Sequence, residues 1–141
     1  MTDSEAIVIS RRSSGVAQIT MSRAAVFNAF DEAMIAELDA AFAQLVADDN
    51  TRVIVLAGEG KHFSAGADLK WMHRASEESR EWNLADARRF AAMLGKIDAC
   101  PKPTVARLQG AALGGGVGLA CACDIAIAAD NASFAISEAK F

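Results

Sequence analysis

The sequence predicts an α/β fold with buried, parallel strands joined through helices. Three observations carry that expectation. "RVIVLAG" is a β-branched apolar run closed by glycine, the pattern of a strand covered on both faces. Segments with apolar residues at helical spacing lie between such runs. The order reads strand-strand-helix, strand-helix-helix, strand-helix-strand, the alternation that builds a sheet with helical crossovers. With 141 residues, residues 1–141 form one domain large enough for a core. A composition of 52% hydrophobic and 23% charged residues is that of a globular chain, not a disordered one.

The elements follow in order. "AIVIS" and "VAQITM", separated by "RRSSG", are two strands of a hairpin. Asp31 starts a helix in which Ile35, Leu38, Phe42, Leu45 and Val46 recur on one face. "RVIVLAG" is the next strand, and "GEGKHFSAG" is a loop. A helix begins near Ala67, and a second places Trp82, Ala85, Phe90, Leu94 and Ile97 on one face before "CPKP" stops it. "TVARLQ" is a strand, the glycine cluster a turn, "GLACA" a short helix, and "DIAIAAD" and "SFAIS" are strands. "SFAISEAKF" ends on apolar Phe141 with no terminal helix or polar tail. The expectation is therefore a fragment of a longer protein.

Charge and composition exclude several classes. The net charge is −4 with no basic block, against nucleic acid as a partner. "MTDSEAIVIS" carries acid where a signal peptide needs a basic region, and the longest apolar run is broken by Asp124. Neither a membrane nor secretion is expected, and the location expected is cytoplasmic. The three cysteines, Cys100, Cys121 and Cys123, are an odd number, pointing to reduced thiols. Cys121 and Cys123 lie two apart, the wrong spacing for a CxxC pair. With only His62 and His73 to help, no metal site is expected; the cysteines are read as buried small residues.

"QGAALGGGVGLACACDIAIAAD" packs Gly110, Gly114, Gly115, Gly116 and Gly118 into ten residues. A P-loop needs lysine and a hydroxyl after its second glycine, but Gly116 and Val117 follow Gly115. A dinucleotide fingerprint fails too, because its sixth position is Leu119 or Cys121. What remains is a strand, a glycine turn and a helix N-terminus, which leaves backbone N–H groups unpaired. Such donors stabilise a developing negative charge. Tight packing of helix on strand explains the glycines equally well. "FSAGADLKWM" is a second glycine turn that follows a buried strand and leads into a helix, so two turns can each offer an N–H to one oxygen. Ser64 lacks the Gly-x-Ser-x-Gly setting of a hydrolase, since His62 stands where glycine would be.

"HFSAGADLKWM", "QGAALGGGVGLACACDIAIAAD" and "SEAKF" together resemble the enoyl-CoA hydratase/isomerase (crotonase) family, and "MSRAAVFNAF" is similar to its Asn-Arg-Pro-x-x-x-Asn-Ala segment. The resemblance runs from the hairpin to the last residue. It implies a crotonase-like spiral of ββα units, of which this chain is the N-terminal portion. It implies an acyl-CoA thioester as substrate, with coenzyme A part of the substrate and no separate cofactor. A homotrimer or dimer of trimers is implied for the full-length protein. The oxyanion donors carry over to the backbone N–H groups of Ala67 and Gly115. The turn from Ala65 through Ala67, Asp68 and Leu69 to Lys70 would hold the CoA, with Lys70 near a phosphate.

The carboxylates depart from the family's pattern. Gly118 stands where hydratases of the family place a first glutamate, and Glu138 stands at the second. One carboxylate suffices for isomerisation and can serve hydration if it handles both water and proton. "AGADLKWM" with Gly118 is most similar to methylglutaconyl-CoA and carboxygeranoyl-CoA hydratase-like members, which act in leucine and acyclic terpene breakdown. Two alternatives stand beside an enolate-forming lyase or isomerase. One is a crotonase-fold scaffold that binds CoA or a partner without catalysis. The other is a thioester hydrolase using Ser64 or Glu138.

Overall fold

The computed structural model describes residues 5–140; Met1 to Ser4 and Phe141 lie outside them. Strands β1 (Ile7–Arg11) and β2 (Val16–Met21) form the expected hairpin, antiparallel, with Ile9 opposite Ile19. Helix α1 (Glu32–Ala47) starts at Asp31, whose carboxylate accepts the Met34 N–H at 3.0 Å. β3 (Val53–Gly58) follows, then α2 (Leu69–Glu77) and α3 (Arg80–Asp98). β4 (Thr104–Leu108), β5 (Ala111–Leu113), α4 (Gly115–Ala122), β6 (Ile125–Ala128) and β7 (Ser133–Ala135) complete the order, with short 3-10 turns at Ala24–Val26 and Ser137–Lys140.

The five-stranded sheet runs β1-β2-β3-β4-β6, and every pair after the hairpin is parallel. The predicted α/β class with parallel strands is the class observed. Along β2, Ala17, Ile19 and Met21 are buried while their neighbours are half-buried, so one face of the sheet holds the core. That core contains Ile54, Leu56 and Ala106 of the sheet, Met34, Leu38, Phe42 and Leu45 of α1, and Met93 and Ile97 of α3. Asp124, which breaks the apolar run, is a latch between strand ends. Its carboxylate accepts from the Thr104 N–H at 2.8 Å and the Thr104 hydroxyl at 3.0 Å, and the Asp124 N–H donates back at 2.9 Å.

Four expectations need correction. The helix expected from Ala67 starts at Leu69, because Asp68 caps it and is itself extended. Part of the stretch read as one glycine turn is β5, which pairs in parallel with β7 in a second, two-stranded sheet. Three residues are too few to show a period, and their partner is distant in sequence. The strand in "DIAIAAD" is exposed along its whole length, because β6 is an edge strand outside the cover of the core. The cysteines are not uniformly buried: Cys121 is exposed, while Cys100 and Cys123 are half-buried. Burial pushes the Cys123 thiol up to about 11. No helix among the described residues is long and apolar enough to cross a membrane.

Candidate active site

Two turns meet at the ends of β3 and β5, and the chain between Arg23 and Phe30 binds them together. Phe27 and Asn28 both adopt left-handed backbone, at φ 54° and 53°. Asparagine tolerates this conformation better than most residues, and the buried Asn28 side chain is used in full. Its Nδ2 donates to the carbonyls of Glu59 and His62, each at 2.9 Å, and its Oδ1 accepts the Arg23 N–H. Ser64 is fully buried; its hydroxyl donates to the Asn28 carbonyl at 2.8 Å and accepts the Gly66 N–H at 3.2 Å.

The amides of the first turn can be followed one by one. Phe63 donates to Gln109, Ser64 to Ala111, Ala65 to Phe27 and Asp68 to Phe30, while Gly66 is taken by the Ser64 hydroxyl. The Ala67 N–H alone in this run has no acceptor among the described residues. On the second turn, Leu113 donates to Ser64 and Gly114 to Ala135, and Val117 is the next to bond back, to Gly114. Gly114 stands at the cap of α4 with φ 52° and no capping side chain. The amides of Gly115 and Gly116, in the first turn of α4, therefore have no acceptor among the described residues.

The two turns touch. A Cβ at Gly66, whose φ is 86°, would lie 2.7 Å from the Leu113 carbonyl oxygen and 3.4 Å from the Gly115 nitrogen. One at Gly116 would stand 2.6 Å from the Ser64 carbonyl, and one at Gly115 would overlap the Phe30 ring. Tight packing and unpaired amides are thus both properties of the cluster: close approach brings the free donors together. His62 fixes the second turn from behind, its Nδ1 accepting the Ala111 N–H at 3.0 Å.

Glu138 reaches the same place. Its carboxylate lies against Gly114, where a Cβ would fall 2.8 Å from the carboxyl carbon and 2.9 Å from Oε2. Glu138 is exposed, and the Ser137 hydroxyl lies 3.5 Å from Oε2. Gly118 lies further along α4, facing Leu94 Cδ1 at 3.6 Å from a built Cβ.

Beside the first turn lies a groove of about 540 Å³. Ala65, Ala67, Asp68, Leu69 and Lys70 line it together with Arg23, Val26 and Phe27. Leu69 and Lys70 are exposed. Asp68 is committed to structure rather than free for a ligand. Its carboxylate accepts the N–H groups of Lys70 at 2.8 Å and Trp71 at 3.2 Å and pairs with Arg23 at 3.2 Å. Burial opposes its charge, but those two amides and the guanidinium outweigh burial and hold the carboxyl below its ordinary range. Arg23 also pairs with Asp31 at 3.3 Å and donates to the Ala29 carbonyl.

The structure thus brings Ala67, Gly115 and Glu138 together and lines one groove with the stretch from Ala65 to Lys70. Asn28, Phe30 and His62 hold the turns in place; they lie within the stretches that carry the family resemblance, but the sequence alone assigns them no role. Among the described residues, no group of three or more His, Cys, Asp or Glu could hold a metal ion.

Residues 11–141 match the family described as enoyl-CoA hydratase/isomerase. An enoyl-CoA hydratase of Alternaria alternata, AFT6-1, is 40% identical over 126 residues, covering 89% of this chain and 40% of that protein. A mitochondrial Delta(3,5)-Delta(2,4)-dienoyl-CoA isomerase of Dictyostelium discoideum is 35% identical over 133 residues, covering 89% of this chain and 45% of that protein. The crystal structure of a putative enoyl-CoA hydratase/isomerase (crotonase) from Legionella pneumophila is 44% identical, with a TM-score of 0.93 over 96% of this chain and 52% of that one. The chain spans about half the length of the proteins it matches. Matched along nearly all of its length in sequence and in the crotonase-like arrangement of strands and helices, this chain belongs to the enoyl-CoA hydratase/isomerase family.

Proposed function

We propose that the protein carrying this chain is an acyl-CoA hydratase or isomerase that works through a thioester enolate. The carrying observation is the Ala67 N–H, the one amide from Phe63 to Asp68 without an acceptor among the described residues, beside the equally free Gly115 N–H. The thioester carbonyl oxygen accepts from both. As the enolate forms, negative charge grows on that oxygen, so the two donors bind the intermediate better than the substrate. They are preorganised, because the turns that carry them are fixed by the bonded amides of Phe63, Ser64, Ala65, Gly66, Asp68, Leu113 and Gly114.

Glu138 moves the proton. In hydration its carboxylate takes a proton from water as the oxygen adds to the β-carbon, and the same proton returns to the α-carbon when the enolate collapses. In isomerisation it removes a proton from one carbon and delivers it to another along the same chain. The CoA lies along the groove from Ala65 to Lys70, with the Lys70 ammonium near a phosphate. No cofactor beyond the substrate's own CoA is invoked. Cytoplasmic location and a homotrimer of the full-length protein belong to the same reading. Hydrolysis through Ser64 has nothing to support it, since that hydroxyl is fully buried and holds the Asn28 carbonyl.

The test is turnover of crotonyl-CoA by the protein in its full natural length and by its Glu138→Gln variant. Loss of a general acid-base group lowers the rate by about two to four orders of magnitude. A variant that keeps the wild-type rate removes Glu138 from the role. Release of free CoA thiol instead of loss of the enoyl absorbance identifies hydrolysis. Binding without turnover by the wild type identifies a scaffold.

A further inference from the structure

His62 sits where the two turns join. Its carbonyl accepts the Asn28 side chain at 2.9 Å, and its ring meets the Phe27 ring edge-on, with centroids 5.0 Å apart. The ring reaches across to the second turn, where Nδ1 accepts the Ala111 N–H at 3.0 Å. A Cβ at Gly110 would lie 2.7 Å from the same nitrogen, so main chain packs directly on the ring. Ala111 opens β5, and that strand leads through Leu113 to Gly114 and the free Gly115 amide.

Nδ1 accepts only while it carries no proton. The proton of the neutral ring is therefore on Nε2, and a second proton turns Nδ1 into a donor. Two donors then face each other at a spacing of 3.0 Å, between Phe27 and Gly110. Among the described residues no carboxylate forms an ion pair with His62 to favour its charged form. The charged groups around it are Lys61 and Glu59 of its own loop, Arg23 ahead of Phe27, and Asp130 beside Asn131, whose side chain accepts the Gly110 N–H. β5 and β7 carry none. Glu59 takes the Ser22 hydroxyl at 2.6 Å, and Arg23 is engaged by Asp31 and Asp68.

We propose that His62 is a positioning residue. Its neutral ring holds the head of β5 so that the Gly115 N–H meets the thioester oxygen, and protonation of the ring releases that donor. The inference rests on the reading that Gly115 donates to this oxygen.

The protein in its full natural length is assayed on crotonyl-CoA from about pH 8 to about pH 5, the interval in which histidine side chains change charge. The expected result is an acid limb in kcat rather than in KM. His62→Asn carries an acceptor, Oδ1, the same number of bonds from Cα as Nδ1, and this oxygen gains no charge, so its acid limb should move to lower pH. His62→Leu has no acceptor at any pH. Its kcat should fall by about tenfold to about a hundredfold, the larger figure being the loss when an oxyanion donor is removed outright, and His62→Asn should restore most of that rate. An acid limb that His62→Asn leaves in place overturns the proposal, as does a wild-type kcat in His62→Leu. Should His62→Leu fail to fold, the pH profiles of the wild type and His62→Asn decide alone. Nitrogen NMR follows the same coupling without turnover: the Gly115 amide should shift with the His62 ring in the wild type and hold still in His62→Asn. Absence of turnover at every pH overturns the proposed function, and the NMR titration still decides the role of His62.

Discussion

Asp68 joins the candidate site to the stability of the fold. It caps α2 with two amide hydrogen bonds and ties that helix to the segment before α1 through Arg23. Removing such a cap costs about 1 kcal/mol. Because its folded-state carboxyl is held below the ordinary value, the contribution is complete above the unfolded aspartate range of about 4 and is lost as pH falls through the folded value. Melting of Asp68→Ala beside wild type should show a constant gap from neutral pH down to that range and a narrowing gap below it. A gap that widens on acidification would contradict the assignment. The family resemblance marked Asp68 as a residue of the CoA-binding turn; its ion pair with Arg23, forty-five positions away, is set by the fold and not by the local sequence.

At the scale of the element, α4 makes the same substitution destabilising at its first residue and stabilising one turn further on. Alanine is a better helix former than glycine by about 1 kcal/mol. At Gly118 a Cβ meets only Leu94 at an ordinary 3.6 Å, so Gly118→Ala should raise the melting temperature. At Gly115 the same atom would overlap the Phe30 ring and press Phe90 at 3.2 Å. Overpacking costs about 1–3 kcal/mol, so Gly115→Ala should lower it. Thermal melts of the two variants, run together, check the opposite signs. The sequence showed that this cluster needs glycine but left open whether for packing or for donors. Only the meeting of Gly66 with Leu113 and Gly115 shows close packing and unpaired amides in the same place. β5 was illegible for a related reason: its pairing with β7 and with Ser64 is set by tertiary geometry, not by its own three residues.

Across the whole molecule, the legible part was what periodicity controls: the hairpin, the long helices, the buried strands and their order. Burial at the edge was not legible, since Ile125 and Ile127 read like core residues but are 52% and 60% exposed. Two apart on a strand, they point to one side of the sheet, and Phe134 of β7 and Ile136 just after it are also exposed. Exposed apolar groups on an edge strand invite pairing with another chain. The 141-residue chain expressed by itself should therefore associate in a concentration-dependent way. Sedimentation should show that association weakening in an Ile127→Lys, Phe134→Lys variant. A wild-type chain that stays monomeric at high concentration would show that this surface is inert.

The free amide of Ala67 has a bearing on how the protein can vary. A donor that belongs to the main chain is present whichever side chain the codon specifies, so point mutation has almost no way to delete it. Proline is the exception, being the one residue without an N–H. Inheritance of the proposed chemistry then depends less on the letter at position 67 than on the residues that hold the turn, and Asn28 and Ser64, both fully buried beneath it, become the positions where drift is least forgiving.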